Sequence, residues 1–277
     1  ILDPLFIFVF HMGVTGAAVA TVLGQVVSSI LTVIYLRRFR SIRLTRKCLI
    51  PQGKLCLKLC SLGVSSFFLQ LAATIVIAVM NNVLVKYGAA SRYGSEIPMT
   101  TLGITMKINQ IITGIVIGIA VGSQPIIGYN YGAGKMARAR KTYFLAVGCS
   151  TAVMALGTAI FQLFPEAIIS IFGSESELYR EFAVKSLKIF LLLIALNGFQ
   201  LCTGVFFQAI GKPVQATLVS LSRQVLFLLP ALVILPRFLG VEGALWAGPV
   251  GDACAFVLAL TLGFLELRKL DSRSVRR

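Results

Sequence analysis

The chain has 277 residues, of which 57% are hydrophobic and only 13% charged, with a mean hydropathy of +0.89. A soluble domain carries roughly twice that charged fraction, so the composition excludes an ordinary water-soluble globule and points to a polytopic membrane protein. The net charge of +16 does not signal nucleic acid either, because the basic residues cluster in short gaps between apolar runs, which is the pattern of cytoplasmic loops.

In chain order, Ile1 to Phe10 is apolar but too short to span alone, since a span needs about 20 residues. The chain is therefore expected to begin part-way through a helix, as a fragment with no signal peptide. Gly13-Val-Thr-Gly16-Ala17 predicts a tight turn, and Ala17 to Leu36 a full span. Arg37, Arg38, Arg40, Arg43, Arg46, Lys47, Lys54 and Lys58 then form the strongest positive-inside cluster of the chain.

Leu59 to Val85 reads as the next span, residues 86–98 as a weakly charged outer loop, and Met99 to Gly122 as the return. Gln124, Pro125, Gly128, Asn130, Gly132 and Gly134 predict a tight cytoplasmic elbow, with the helix ending or kinking at Pro125, which has no N–H to donate. Lys135, Arg138, Arg140 and Lys141 make its exit basic. Tyr143 to Phe164 goes out, and residues 165–181 form an outer loop holding Glu166, Glu175, Glu177 and Glu181. Phe182 to Ile210 returns to a turn at Gly211-Lys212-Pro213. Val214 to Leu235 leaves again, with Pro230 expected to kink it. Gly240-Val-Glu-Gly243 turns outside, Ala244 to Leu267 returns, and Arg268, Lys269, Arg273, Arg276 and Arg277 end the chain inside. On this topology eighteen basic residues fall at inner segments and six at outer ones.

The segment Gly13-Val-Thr-Gly16-Ala17 through Gly24 parallels Gly240-Val-Glu-Gly243-Ala244 through Gly251 at a constant offset. A same-orientation repeat requires an even number of helices between copies, and six fit. The pattern is that of two lobes related by an axis along the membrane normal. The expected fold is all-α: a six-helix second lobe plus the last one and a half to two helices of a pseudo-symmetric first lobe. Residues 1–36 end the first lobe, 37–58 are a basic linker, 59–270 are the second lobe and 271–277 a basic tail. The rest of the first lobe is the partner this chain lacks.

Several chemistries fail on their motifs. Gly134-Lys135 closes a Gly-rich stretch, but Tyr129 and Met136 stand where a phosphate loop needs Gly and Ser or Thr. Cys48, Cys56, Cys60, Cys149, Cys202 and Cys254 show no zinc or redox spacing. No paired acidic motif exists to hold metal and diphosphate, so an enzyme such as a prenyltransferase is not expected, and no cofactor or metal site is read.

Gln124-Pro125-Ile-Ile-Gly128-Tyr-Asn130-Tyr-Gly132-Ala133 resembles the loop after the eighth helix of multidrug and toxic compound extrusion (MATE) transporters. Leu2-Asp3-Pro4, Gly13 to Thr21, Asn81-Asn82, Gln208 to Lys212, Arg223-Gln224 through Pro230 and Gly251-Asp252 are similar to further segments of its fifth to twelfth helices. The resemblance implies twelve helices in two lobes, export of cationic or aromatic compounds, and coupling to H⁺ or Na⁺.

Polar residues inside spans are the candidate sites. Ser66, Gln70, Thr74 and Asn81 share one helix face; Thr105, Asn109 and Thr113 share another; Asn197, Gln200, Gly204 and Gln208 a third. Each stripe reads as cavity lining or as interhelical glue, and three together favour a shared cavity. Asp252 lies about 18 Å from the outer end of its helix and Arg223 about 15 Å from the inner end of its own, at 1.5 Å per residue. They reach similar depth, as a neutralising pair or with Asp252 as a protonation or cation site. Lys107 either pairs with a carboxylate elsewhere or snorkels. Asp3 is placed in the first lobe, and His11 reads as interfacial. The spans of residues 59–95 and 182–241 hold no acid, unlike many MATE proteins, so the coupling site is expected in the missing lobe. The function read is ion-coupled antiport of small organic compounds by alternating access in the cell membrane. Two alternatives stand: a flippase of lipid-linked saccharides, and an inactive fragment.

Overall fold

The computed structural model describes residue 2 and residues 5–37, 53–173 and 176–275. Asp3, residues 38–52 of the basic linker, Glu175 and the last two arginines lie outside the described residues. All described secondary structure is helical. The chain divides into two compact units, Ile1–Leu62 and Gly63–Arg277.

In the first unit a π-helical segment, Leu5–Val9, leads into α1 (Gly13–Arg37). The turn lies earlier than the glycines suggested. His11 and Gly13 take positive φ, and Gly13 to Gly16 already form the first turn of α1. The Met12 N–H donates to Phe6 O at 3.1 Å, so the π segment folds against the helix start. Nearly every side chain of α1 is exposed, as expected of an apolar helix whose neighbours are lipid or other protein.

The second unit continues α2 (Gly53–Ala89) and adds α3 (Glu96–Gly132), α4 (Met136–Leu163), α5 (Pro165–Ile171), α6 (Glu177–Phe190), α7 (Ala195–Ala209), α8 (Pro213–Leu221), a π segment (Ser222–Leu228), α9 (Leu229–Leu239) and α10 (Val241–Val275). It presents six spans when α6 and α7, bent by 47° across residues 191–194, count as one. The end carrying residues 90–95 and 240 is called upper here, and that carrying 133–135 and 211 lower.

Several predicted boundaries move. The predicted elbow is helix: α3 runs through Gln124, Pro125, Gly128 and Asn130 to Gly132, and only Ala133 to Lys135 turn. Pro125 removes one intrahelical bond, but the lower part of α3 is held by packing, with Ile127 buried against the end of α7. Gly134 at φ +73° makes the turn, and the Lys135 N–H donates to Asn130 O. The predicted span 182–210 is broken. The acidic segment 165–181 contains α5 and opens α6, where the Ser176 hydroxyl caps Tyr179 N–H at 3.2 Å. The irregularity expected at Pro230 falls before it, as the π segment, and Pro230 itself opens α9.

Two large apolar clusters lie inside this unit, with a small third of Ala120, Ala146 and Cys202. The upper one joins Met80, Leu84, Leu102, Val116, Met154, Phe182, Leu187, Phe190, Leu228 and Leu245. The lower one joins Ile127, Tyr143, Phe206, Phe207, Val219 and Ala259. Between them, on helices that contribute to both, lie the buried polar residues Ser150, Asn197, Gln200, Ser222 and Asp252. Helices approach closely here. A Cβ on Gly198 would lie 2.9 Å from the Ser150 carbonyl oxygen, and one on Gly248 equally near Phe190 O.

Gly198→Ala forces α4 and α7 apart at backbone level, where no side chain can rotate away. We expect it to cost about 1–3 kcal/mol and lower the thermal midpoint in detergent, read by fluorescence-detected gel filtration. Gly148→Ala, whose methyl meets nothing, leaves the midpoint in place.

Candidate functional site

The polar residues singled out in the sequence divide into two groups. The stripe on α7 turns inward. Asn197 and Gln200 are each 5% exposed. Asn197 Nδ2 donates to Asp252 Oδ1 at 3.2 Å, and Gln200 Nε2 to the Val219 carbonyl at 2.9 Å. Both are buried within this unit, and these two hydrogen bonds stay inside the bundle. On α3, Thr105 is buried and bonds Thr101 O, while Asn109 and Thr113 are half-buried and Thr113 Oγ1 donates to Asn109 Oδ1 at 3.1 Å.

The described residues of the α2 stripe are open to the outside of the unit. Gln70, Thr74 and Asn81 are exposed, whereas Ala72, Val76, Met80 and Leu84 on the opposite side of the same helix are buried. Thr74 returns its hydroxyl to Gln70 O at 3.0 Å, and the Ser66 side chain lies outside those described. On α3 the outward face carries Gly103, Lys107, Gln110, Gly114 and Gly118, so the lysine singled out in the sequence shares its face with one amide and three glycines. The buried positions of α3, Leu102, Thr105 and Ile108, place Lys107 on the face directly away from the core.

Two of the intramembrane charges, Arg223 and Asp252, meet. Arg223, in the π segment, puts Nε 2.6 Å from Asp252 Oδ1 on α10, and Asp252 is 2% exposed. With Asn197, this gives one carboxylate oxygen two donors from two other elements. A carboxylate at this depth is tolerable only when paired and hydrogen-bonded. Sequence reasoning missed a companion pair. Lys212 Nζ lies 2.5 Å from Glu266 Oε2, and Glu266 is also buried. Its signal was an acid just inside the basic end of the last span. At the upper end Lys185 pairs with Glu242, so α10 is held by cations from three different elements at three levels. Arg92 and the Tyr93 hydroxyl both reach Glu181, which ties the 90–95 turn to α6. Below the central pair, Tyr143 OH and Thr203 Oγ1 share a hydrogen bond at 2.9 Å, and Cys202 Sγ donates to Ser150 Oγ.

This long-helix bundle can be set beside known proteins. The model of the MatE family matches residues 71–233, more than half of the chain. The chain belongs to the MatE family. It is a multi-pass helical membrane protein of that family, and the family is one of transporters rather than enzymes. Multidrug export protein MepA of Staphylococcus aureus is 24% identical over 275 residues, covering 96% of this chain and 57% of that protein. MepA of Staphylococcus haemolyticus is 23% identical over 259 residues, covering 93% and 55%. A multidrug resistance MATE transporter solved in an outward-facing conformation has the same fold: TM-score 0.81, 21% identity, 98% of this chain and 60% of that one. The chain therefore spans a little over half the length of these relatives.

If Asp252 and Arg223 stabilise one another, the two single substitutions and the double will not add. Asp252→Asn or Arg223→Gln alone leaves one buried partner uncompensated and is expected to cost about 3–5 kcal/mol. The double Asp252→Asn/Arg223→Gln should recover most of the thermal midpoint. Equal losses that sum would show two independent roles.

Proposed function

We propose that this MatE chain is the second-lobe part of a two-lobed exporter that moves small organic compounds by alternating access, coupled to H⁺ or Na⁺. The observation that carries the proposal is the open polar stripe Gln70, Thr74, Asn81 on α2, set at membrane depth on a unit whose own interior is closed. Amides and hydroxyls at that depth avoid lipid and face protein or a water-filled cavity. The curated relatives named as export proteins are longer than this chain, which supports a second lobe across that cavity. Residues 1–36 fit the end of the first lobe, 37–58 a linker and 59–270 the second lobe, with the basic C-terminal end cytoplasmic by the positive-inside pattern.

The paired charges bear on coupling. Asp252, Glu266, Glu242 and Glu181 are each engaged by a cation of this unit. We therefore assign the carboxylate that takes up the coupling ion, or that attracts a cationic substrate, to the first lobe, whose end within this chain carries Asp3. Aromatic compounds are served by the apolar residues beside the stripe, including Leu71, Ile75 and Ile77.

The complete protein that carries this chain, reconstituted in liposomes, is expected to export an aromatic dye when a pH or Na⁺ gradient is imposed and to stop when that gradient is collapsed. Gln70→Leu and Asn81→Leu should lower that rate about tenfold, equivalent to about 1.4 kcal/mol, with an unchanged thermal midpoint. Dye movement indifferent to both gradients would overturn ion-coupled export.

A further inference from the structure

The outward face of α3 holds a charge that the pairing scheme leaves over. Lys107 is exposed, and among the described residues no ion pair involves it. It stands eleven residues into α3 from Glu96, about 16 Å at 1.5 Å per residue, which is deeper than its own side chain can snorkel back. No Asp or Glu occurs at residues 59–95 or 97–165, so neither α2 nor α3 within its span, nor α4, offers a counter-charge. A lysine in that position faces protein or a polar cavity rather than hydrocarbon.

The surroundings have a definite chemistry. Gln110, one turn below Lys107, adds amide donors. Gly103, Gly114 and Gly118 lie on the same face, and a Cβ on any of them would meet no atom within 4 Å, so the backbone is open to flat apolar groups. Ile111, Ile115 and Ile117 flank it and are exposed. The α2 and α3 helices run antiparallel, with Gly88 against Pro98 at the turn. Counting equal steps from that contact sets Lys107 level with Val79, within a turn of Asn81 and Asn82. The ensemble is one fixed positive charge, neutral donors and an apolar floor.

We infer that Lys107 is an anion-recognition site, and that it selects amphiphilic organic compounds bearing a carboxylate, sulfonate or phosphate, as anions or zwitterions. The inference rests on the reading that this face borders the transport cavity. An ammonium at membrane depth is a strong point charge that three donor hydrogens can direct to an oxyanion. A cationic compound finds only repulsion there. The lobe described here therefore discriminates by charge in favour of anionic groups, whatever the other lobe contributes.

The test uses the complete protein in phosphatidylcholine nanodiscs and three xanthene dyes of one aromatic core, cationic, zwitterionic and anionic. Binding is read by fluorescence anisotropy as the ratio of anionic to cationic Kd. Lys107→Gln is expected to raise that ratio on the order of tenfold, Lys107→Glu to raise it further and reverse the order of the dyes, and Lys107→Arg to restore it. Anionic lipid added to the disc should compete with the anionic dye if a lipid head group is the natural occupant, and leave it bound if a soluble compound is. A ratio within about twofold of wild type in Lys107→Glu would overturn the inference, since each tenfold corresponds to about 1.4 kcal/mol. So would a parallel loss of all three dyes together with the thermal midpoint, which would mark Lys107 as the partner of a carboxylate in the other lobe. Should liposomes show no gradient-driven export, the proposed function fails while the Kd ratio still decides the role of Lys107.

Discussion

A carboxylate in the middle of a hydrocarbon slab must bring its own solvent, and in this chain Asp252 does so with Arg223 and Asn197. The three residues come from α10, the π segment and α7, so the requirement of one charge fixes the mutual position of three elements at mid-depth. Apolar packing above and below cannot do this by itself, because between helices in lipid the hydrophobic effect supplies little direction and close packing or hydrogen bonding must supply it instead. The pair restricts more than it stabilises. Replacing it with well-packed apolar side chains could be neutral in free energy, while removing one member leaves the other stranded.

The same logic explains why α10 can be long and nearly featureless on its lipid side. Its three paired acids, Glu242, Asp252 and Glu266, meet cations from α6, the π segment and the turn before α8. Each contact takes its cation from a different part of the chain, so α10 serves as the spine against which the others are registered. The contrast with α2 and α3 is direct. Those helices carry polar side chains outward, at Gln70, Asn81 and Lys107, while Thr74 beside them returns its hydroxyl to its own helix.

The sequence made the solvent, the number of spans and the basic clusters readable, because hydropathy and charge act one residue at a time and need no tertiary information. The meeting of Arg223 and Asp252 was also readable, since two charges at equal depth on consecutive antiparallel helices have few alternatives. Direction was harder. The stripes at 70–81, 105–113 and 197–208 look alike in periodicity, yet the first is exposed, the second runs from buried Thr105 to half-buried Asn109 and Thr113, and the third is buried except at Gln208; periodicity names a face without naming its neighbour. The Asn197 stripe was resolved by its bond to a residue fifty-five positions away. Backbone irregularities were misplaced for a related reason. Pro125 marks a point where a helix can break, but Ile127 and Gly128 pack against the end of α7, and tertiary contact overrode the local signal. The break at residues 191–194 has no proline or glycine to announce it.

That break has neighbours at its own height. Gly248 approaches Phe190 at the end of α6, Gly251 approaches Leu228 at the end of the π segment, and Pro249 interrupts the hydrogen-bond ladder of α10 between them. Three adjacent elements thus lose regular helical geometry close together, where Phe190, Leu191, Ile194 and Leu228 belong to the upper apolar cluster. Where the helical ladder is interrupted in touching elements, their register rests on close fit alone: a Cβ at Gly248 would meet Phe190 O at 2.9 Å, so that position admits no larger residue without a backbone shift.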